Sequence, residues 1–181
     1  MIVREGHRQM SEVGFARFSA REVAKRIGYS IGTIYNVFES HDLLILAINA
    51  RTLAQWQAHV EGRLAGVEKG RLRVLVEAYF EFAILNRHAW TALYDHRLPP
   101  DVAPPDYYRD QIRSLMGIVR DEIAAVLPAE RIDEADALTR SLLATVHGHC
   151  FFTLNGTFAL LGEEQPLEAA YARVLEALAL D

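Results

Sequence analysis

The chain has 181 residues, 51% of them hydrophobic, with 19 Lys/Arg against 24 Asp/Glu and a net charge of −5. No apolar run approaches the roughly 18 residues of a membrane span, Met1–Met10 lacks a secretory-signal pattern, and the single Cys150 cannot form an internal disulfide. These features exclude membrane-spanning and disulfide-stapled classes and predict a soluble, cytoplasmic protein, built either as one unit or as a small domain fused to a larger one.

The first helix is expected to start almost at Met1, leaving little N-terminal arm. Ser19 then has the character of an N-cap, with Glu22 three positions on as the reciprocal half of a capping box. The helix it starts buries Ala20, Val23, Ala24 and Ile27 on one stripe and turns Arg21, Lys25 and Arg26 elsewhere. Gly28 permits the left-handed turn that ends it. Ser30 caps a second short helix whose Ile34 and Phe38 face inward, leaving Ile31, Gly32, Thr33, Tyr35, Asn36 and Val37 free to meet something outside. Helix, glycine turn and second helix is the layout that presents a helix to the DNA major groove. Asn36 carries an amide able to bond adenine bidentately, with a solvated position or a phosphate contact as its alternative, while Ile31 and Val37 could pack on a thymine methyl.

The run A-x-x-x-G-Y-S-x-G-T-I-Y-x-x-F-x-S-x-D-L-L, from Ala24 through Leu44, resembles the tetracycline-repressor (TetR) family of transcriptional regulators. The resemblance implies an all-α homodimer, with three N-terminal helices binding operator DNA and a C-terminal body sensing a small-molecule effector. It places the DNA-binding domain at 1–45 and the effector-binding and dimerisation domain at 46–181. By the same resemblance Ser19, Arg21, Ser30, Thr33 and Tyr35 belong to the DNA face, with Thr33 and Tyr35 on phosphates and Arg21 on a phosphate or a guanine edge. Where the family commonly has a lysine at the start of the fourth helix, this sequence has His41, which implies a weaker and more pH-sensitive backbone contact. Charge divides at the same boundary. Residues 1–40 carry six Lys/Arg against four acids, a net +2, and the remainder thirteen against twenty, a net −7. A locally basic head suits phosphate neutralisation, although +2 over forty residues is also ordinary fluctuation.

The rest of the chain reads as helix punctuated by prolines. Ser40 should cap a long helix over 41–64, followed by helices at 69–85 and 88–94, the proline-rich loop 98–105, and helices at 107–126, 133–160 and 167–180. The last two are apolar on more than one face, which predicts a four-helix dimer interface using Leu142, Phe158, Val174, Leu175 and Leu178, with a monomeric core as the equal alternative from the residues alone. Val146-His147-Gly148 resembles a motif in one branch of the family that usually reads Trp-His-Gly, with Val146 in place of the tryptophan.

Candidate effector-lining residues are Trp56, Tyr79, Trp90, Tyr94, Met116, His147, Phe151 and Asn155, each with plain core packing as its alternative role. His147 and His149 are two apart on a helix and face different ways, so no metal site is expected. Cys150 is spaced to pair with His147, but its apolar neighbours Phe151 and Phe152 favour an inert thiol. With no Gly-rich phosphate loop or nucleophile elbow, neither cofactor nor catalysis is expected. Two function classes remain. One is a ligand-responsive regulator, a repressor released by a small apolar effector; the other is a helical small-molecule-binding protein or enzyme whose helix-turn-helix is structural. The outward set Thr33, Tyr35 and Asn36 beside Arg21 favours the first.

Overall fold

Three serines set helix starts in the N-terminal part of the chain, each by accepting a backbone N–H three residues on. Ser19 Oγ accepts from Glu22 N at 3.3 Å, Ser30 Oγ from Thr33 N at 3.1 Å and Ser40 Oγ from Leu43 N at 3.1 Å. The computed structural model describes residues 1–180. Its helices are α1 (Ile2–Val13), α2 (Ala20–Arg26), α3 (Ile31–Phe38), α4 (His41–Leu64), α5 (Arg71–Leu85), α6 (Arg87–Asp95), α7 (Asp106–Ala124), α8 (Ala135–Leu154), α9 (Thr157–Leu161) and α10 (Pro166–Leu178). No strand occurs among the described residues, and no described helix is long and apolar enough to cross a membrane. The fold is all-α.

The capping box at Ser19 is only half formed. Glu22 turns its carboxylate to Arg26, and the Ser19 N–H is met by the side chain of buried Gln9, whose Oε1 accepts at 3.0 Å. Gly28 adopts φ +74°, the left-handed value that reverses the chain between α2 and α3.

The chain forms two compact units. The first joins Met1–Gln57 to Leu85–Arg113, so the head does not end near residue 45 as a packing unit but includes α6. Its core gathers Met10 of α1, Val23 and Ala24 of α2, Ile34 of α3, Leu44, Ile45 and Ile48 of α4, and Ala92 of α6. Polar ties reinforce this. Asn49 Nδ2 donates to the Ala92 carbonyl at 3.2 Å, His88 Nδ1 to the Ser11 carbonyl at the end of α1 at 3.0 Å, and His96 Nε2 to Asp42 Oδ1 in the first turn of α4 at 2.9 Å.

The second unit comprises Ala58–Ile84 and the chain from Ser114 onward. Here α8 and α10 pack against each other. Leu142, Val146 and Cys150 recur every four residues along α8, and Ala170, Val174 and Leu178 do so along α10; both stripes are buried. This corrects the expected dimer interface, because Leu142, Val174 and Leu178 are buried within the chain itself. Phe158 and Leu175 are half-buried, and the large apolar side chains left outside on α8 and α9 are Phe151, Phe152, Leu160 and Leu161. The long helix expected over 133–160 is also broken. A 3-10 turn covers Ala129–Glu134, α8 stops at Leu154, and Gly156 at φ +82° separates it from α9.

Candidate nucleic-acid interface

α3 is anchored by one fully buried side chain, Ile34, flanked on the same stripe by half-buried Ile31 and Phe38. Ile31 therefore departs from the outward position expected of it. It lies three residues before Ile34 and seven before Phe38, spacings that fall on one helix face, and it packs on the head's core instead of being free for a thymine methyl. Gly32, Tyr35, Asn36 and Val37 are exposed, Val37 at 60%, and Thr33 is half-exposed with its hydroxyl hydrogen-bonded to Ser30 Oγ at 2.9 Å. Arg21 and Lys25 are exposed on α2, and His41 is exposed at the first residue of α4. Ser19 is half-buried and committed to its cap, whereas Ser30 is exposed.

Not all of the head's positive charge is available to an anion. Arg26 lies 2.8 Å from Glu12, 3.3 Å from Glu22 and 3.4 Å from Glu5, while Arg8 lies 2.7 Å from Glu5. Hydrogen bonds that Arg26 donates to Glu12 and Glu22 raise its guanidinium above the ordinary range, and the bond from Arg8 holds the Glu5 carboxyl below its own. This network pins α1 to α2 and occupies Arg8 and Arg26 with carboxylates, leaving Arg4, Arg17, Arg21 and Lys25 of the basic tally, the last two on the helix-turn-helix.

Among the predicted effector-lining residues, the second unit brings Tyr79, His147 and Phe151 together. The Tyr79 hydroxyl and His147 Nδ1 are hydrogen-bonded at 2.9 Å, and the Phe151 ring stacks on His147 at 6.0 Å between centroids with 19° between planes. Burial pushes the His147 pKa down, so the ring is held neutral. In the first unit Trp90 is fully buried and Tyr94, which is exposed, meets it edge-on at 5.2 Å. Trp56 is buried on α4 and Met116 half-buried on α7. Asn155 does not serve as an orienting group. It is exposed, and its Oδ1 accepts from Thr157 N at 3.0 Å and Thr157 Oγ1 at 2.6 Å, forming the turn that ends α8. Burial raises the Cys150 thiol to about 12, which keeps it protonated and inert.

Sequence reasoning missed Asp42, Asn49 and His96 and the role of His88, whose bonds join α6 and the residue after it to α1 and α4. Their partners lie 43 to 77 residues away in the chain, and no local pattern marks them.

The description "Bacterial regulatory proteins, tetR family" matches residues 2–48, and "Tetracyclin repressor-like, C-terminal domain" matches residues 72–178. The chain belongs to the tetR family. Its fold is also that of solved structures at low identity. A protein of unknown function from Rhodococcus sp. RHA1 superposes with a TM-score of 0.76 at 20% identity, over 98% of this chain and 93% of that one. A transcriptional regulator from Rhodococcus sp. Rha1 superposes with a TM-score of 0.63 at 22% identity, over 98% and 93% of the two chains. No curated protein matches the sequence. As a tetR-family chain it is a DNA-binding transcriptional regulator.

Proposed function

We propose that this regulator is a ligand-responsive repressor, a homodimer released from a pseudo-palindromic operator by a small apolar effector. Residues 1–45 read the DNA, and 46–181 bind the effector and dimerise. The observation that carries the reading is how α3 is held: Ile34 alone is fully buried in the core, and the helix exposes Tyr35, Asn36 and Val37, two of them large apolar side chains. Tyr35 and Thr33 position the helix on phosphates, and Asn36 and Val37 read base edges. Dimerisation is supported by the exposed Phe152, Leu160 and Leu161, with the Phe152 ring edge-on to half-buried Phe158 at 5.5 Å, apolar side chains that a partner would cover.

Effector binding acts through α4, which is separated from α3 by only Glu39 and Ser40 and runs unbroken to Leu64. Coupling is reciprocal: an effector that weakens operator binding by some factor is itself bound more weakly by that factor on DNA, typically about 5- to 150-fold. The test is fluorescence anisotropy with DNA fragments flanking the gene at two salt concentrations. Salt-sensitive binding at one palindromic site, weakened across all sequences by Tyr35→Ala and relaxed in base preference by Asn36→Ala, is the expected result. Absence of salt-sensitive binding to any fragment would refute the proposal.

A further inference from the structure

Two polar atoms on the inner face of α4 are buried without a partner in the protein. Asn49 is 1% exposed and Thr52 is fully buried. The Asn49 amide has a fixed orientation, because Nδ2 donates to the Ala92 carbonyl, which can only accept. Oδ1 is therefore turned away from Ala92, and no donor meets it. Thr52 lies three residues on, hence on the same face, and its hydroxyl also lacks a partner. This differs from Thr91, Thr139, Thr145 and Thr153, each of which donates to the carbonyl four residues back. That bond is the local remedy for a helical threonine. Thr52 does not use it. Unsatisfied polar atoms are rare in protein interiors because each costs its full desolvation, so two on one face call for an explanation.

The surroundings narrow what could meet them. The Asn49 side chain is also hydrogen-bonded to Tyr108 of α7, which lowers that phenol, while burial, the larger effect, pushes it above the usual range. Buried Ile48 and Leu53 lie on the same helix, and fully buried Trp90 lies on α6 of the same compact unit. The atoms on offer are neutral: an amide oxygen, which only accepts, and a hydroxyl, which donates or accepts. A carboxylate cannot donate to Asn49, a hydrocarbon satisfies neither atom, and an ammonium brings an unpaired charge into a buried site. A hydroxyl group donates to the first and accepts from the second.

We infer that Asn49 Oδ1 and Thr52 Oγ1 hold the hydroxyl group of a neutral alcohol or phenol, which assigns the effector an apolar body with a hydroxyl head. The inference rests on the ligand-responsive reading above and refines it. It places the effector's polar end on the same side chain that ties α4 to α6.

The test uses the full chain and thermal-shift and calorimetric titrations with phenol, cyclohexanol and 1-hexanol, each against its hydroxyl-free counterpart (fluorobenzene, methylcyclohexane, hexane). At least one alcohol should bind the wild type at least tenfold tighter than its counterpart. Thr52→Val, which keeps the volume and removes only the hydroxyl, should abolish that preference while its melting temperature without ligand stays level or rises. Asn49→Leu should abolish the preference as well. The inference is overturned if no alcohol is preferred, if both variants keep the preference, or if Thr52→Val melts lower without ligand, since the last would mean that the pair holds only structural water. Anisotropy with operator DNA separates the two claims. Operator release by some other molecule with no alcohol bound removes this site and keeps the regulator, whereas alcohol binding that depends on Thr52 with no operator binding does the reverse.

Discussion

Replacing Ile34 by Ala tests whether the recognition helix is held by a single side chain. Ile34 is the one fully buried residue of an eight-residue helix, 0% exposed, with only half-buried Ile31 and Phe38 beside it. Truncating a buried isoleucine to alanine costs about 2–5 kcal/mol in lost transfer energy and residual cavity. A helix this short has little stability of its own, so the loss falls first on docking of α3 and then on the head. At about 1.4 kcal/mol per tenfold, the operator Kd rises by up to roughly 30- to 4,000-fold. The matched control is Val37→Ala on the same helix, at an exposed position. With Val37 at 60% exposure, stability should change by less than about 0.5 kcal/mol while operator binding still weakens. Amide hydrogen exchange reads α3 docking and anisotropy reads affinity. An Ile34→Ala protein whose α3 amides stay protected and whose operator affinity is unchanged would refute the anchoring argument.

Three further outcomes follow from local geometry. Burial lowers the pKa of His7 and His147 from the ordinary 6.5, so below that value the unfolded chain binds more protons than the folded one. Stability should thus be flat above about pH 7.5 and fall as the pH drops through 6.5, by up to about 1.4 kcal/mol per pH unit per group; His7→Gln with His147→Gln should flatten the profile of melting temperature against pH, and an unchanged slope would count against it. Gly156 sits at φ +82° and Gly148 in mid-helix with open space at its Cβ position, so Gly156→Ala should destabilise by about 1 kcal/mol and Gly148→Ala stabilise by about 0.5–1 kcal/mol in chemical denaturation. Glu39 adopts φ +63° at the end of α3, and Glu39→Gly should raise stability by up to about 1 kcal/mol in the same assay, a decrease being the contrary result.

The head was legible in the sequence because its signals are local. Ser19, Ser30 and Ser40 each cap a helix through an amide three residues away, Gly28 turns where a left-handed residue is needed, and Ile34 falls on a stripe that periodicity alone identifies. The same periodicity could not decide between faces when both were apolar. Ile31 went inward because it shares a stripe with Ile34 and Phe38, and Leu142, Val174 and Leu178 went into the packing of α8 on α10 and not to a partner. Charge counting missed Arg26, whose three carboxylate partners come from two helices. Gln9 replacing Glu22 in the Ser19 cap, His96 on Asp42, and Asn49 on the Ala92 carbonyl are likewise bonds between segments distant in sequence. The serine-capped helix starts of the head depend on neighbours within one turn, so the sequence by itself determined them. Which face is buried, which charge is neutralised and which polar atom is left unpaired depend on what another helix brings alongside, and only the tertiary structure decided those.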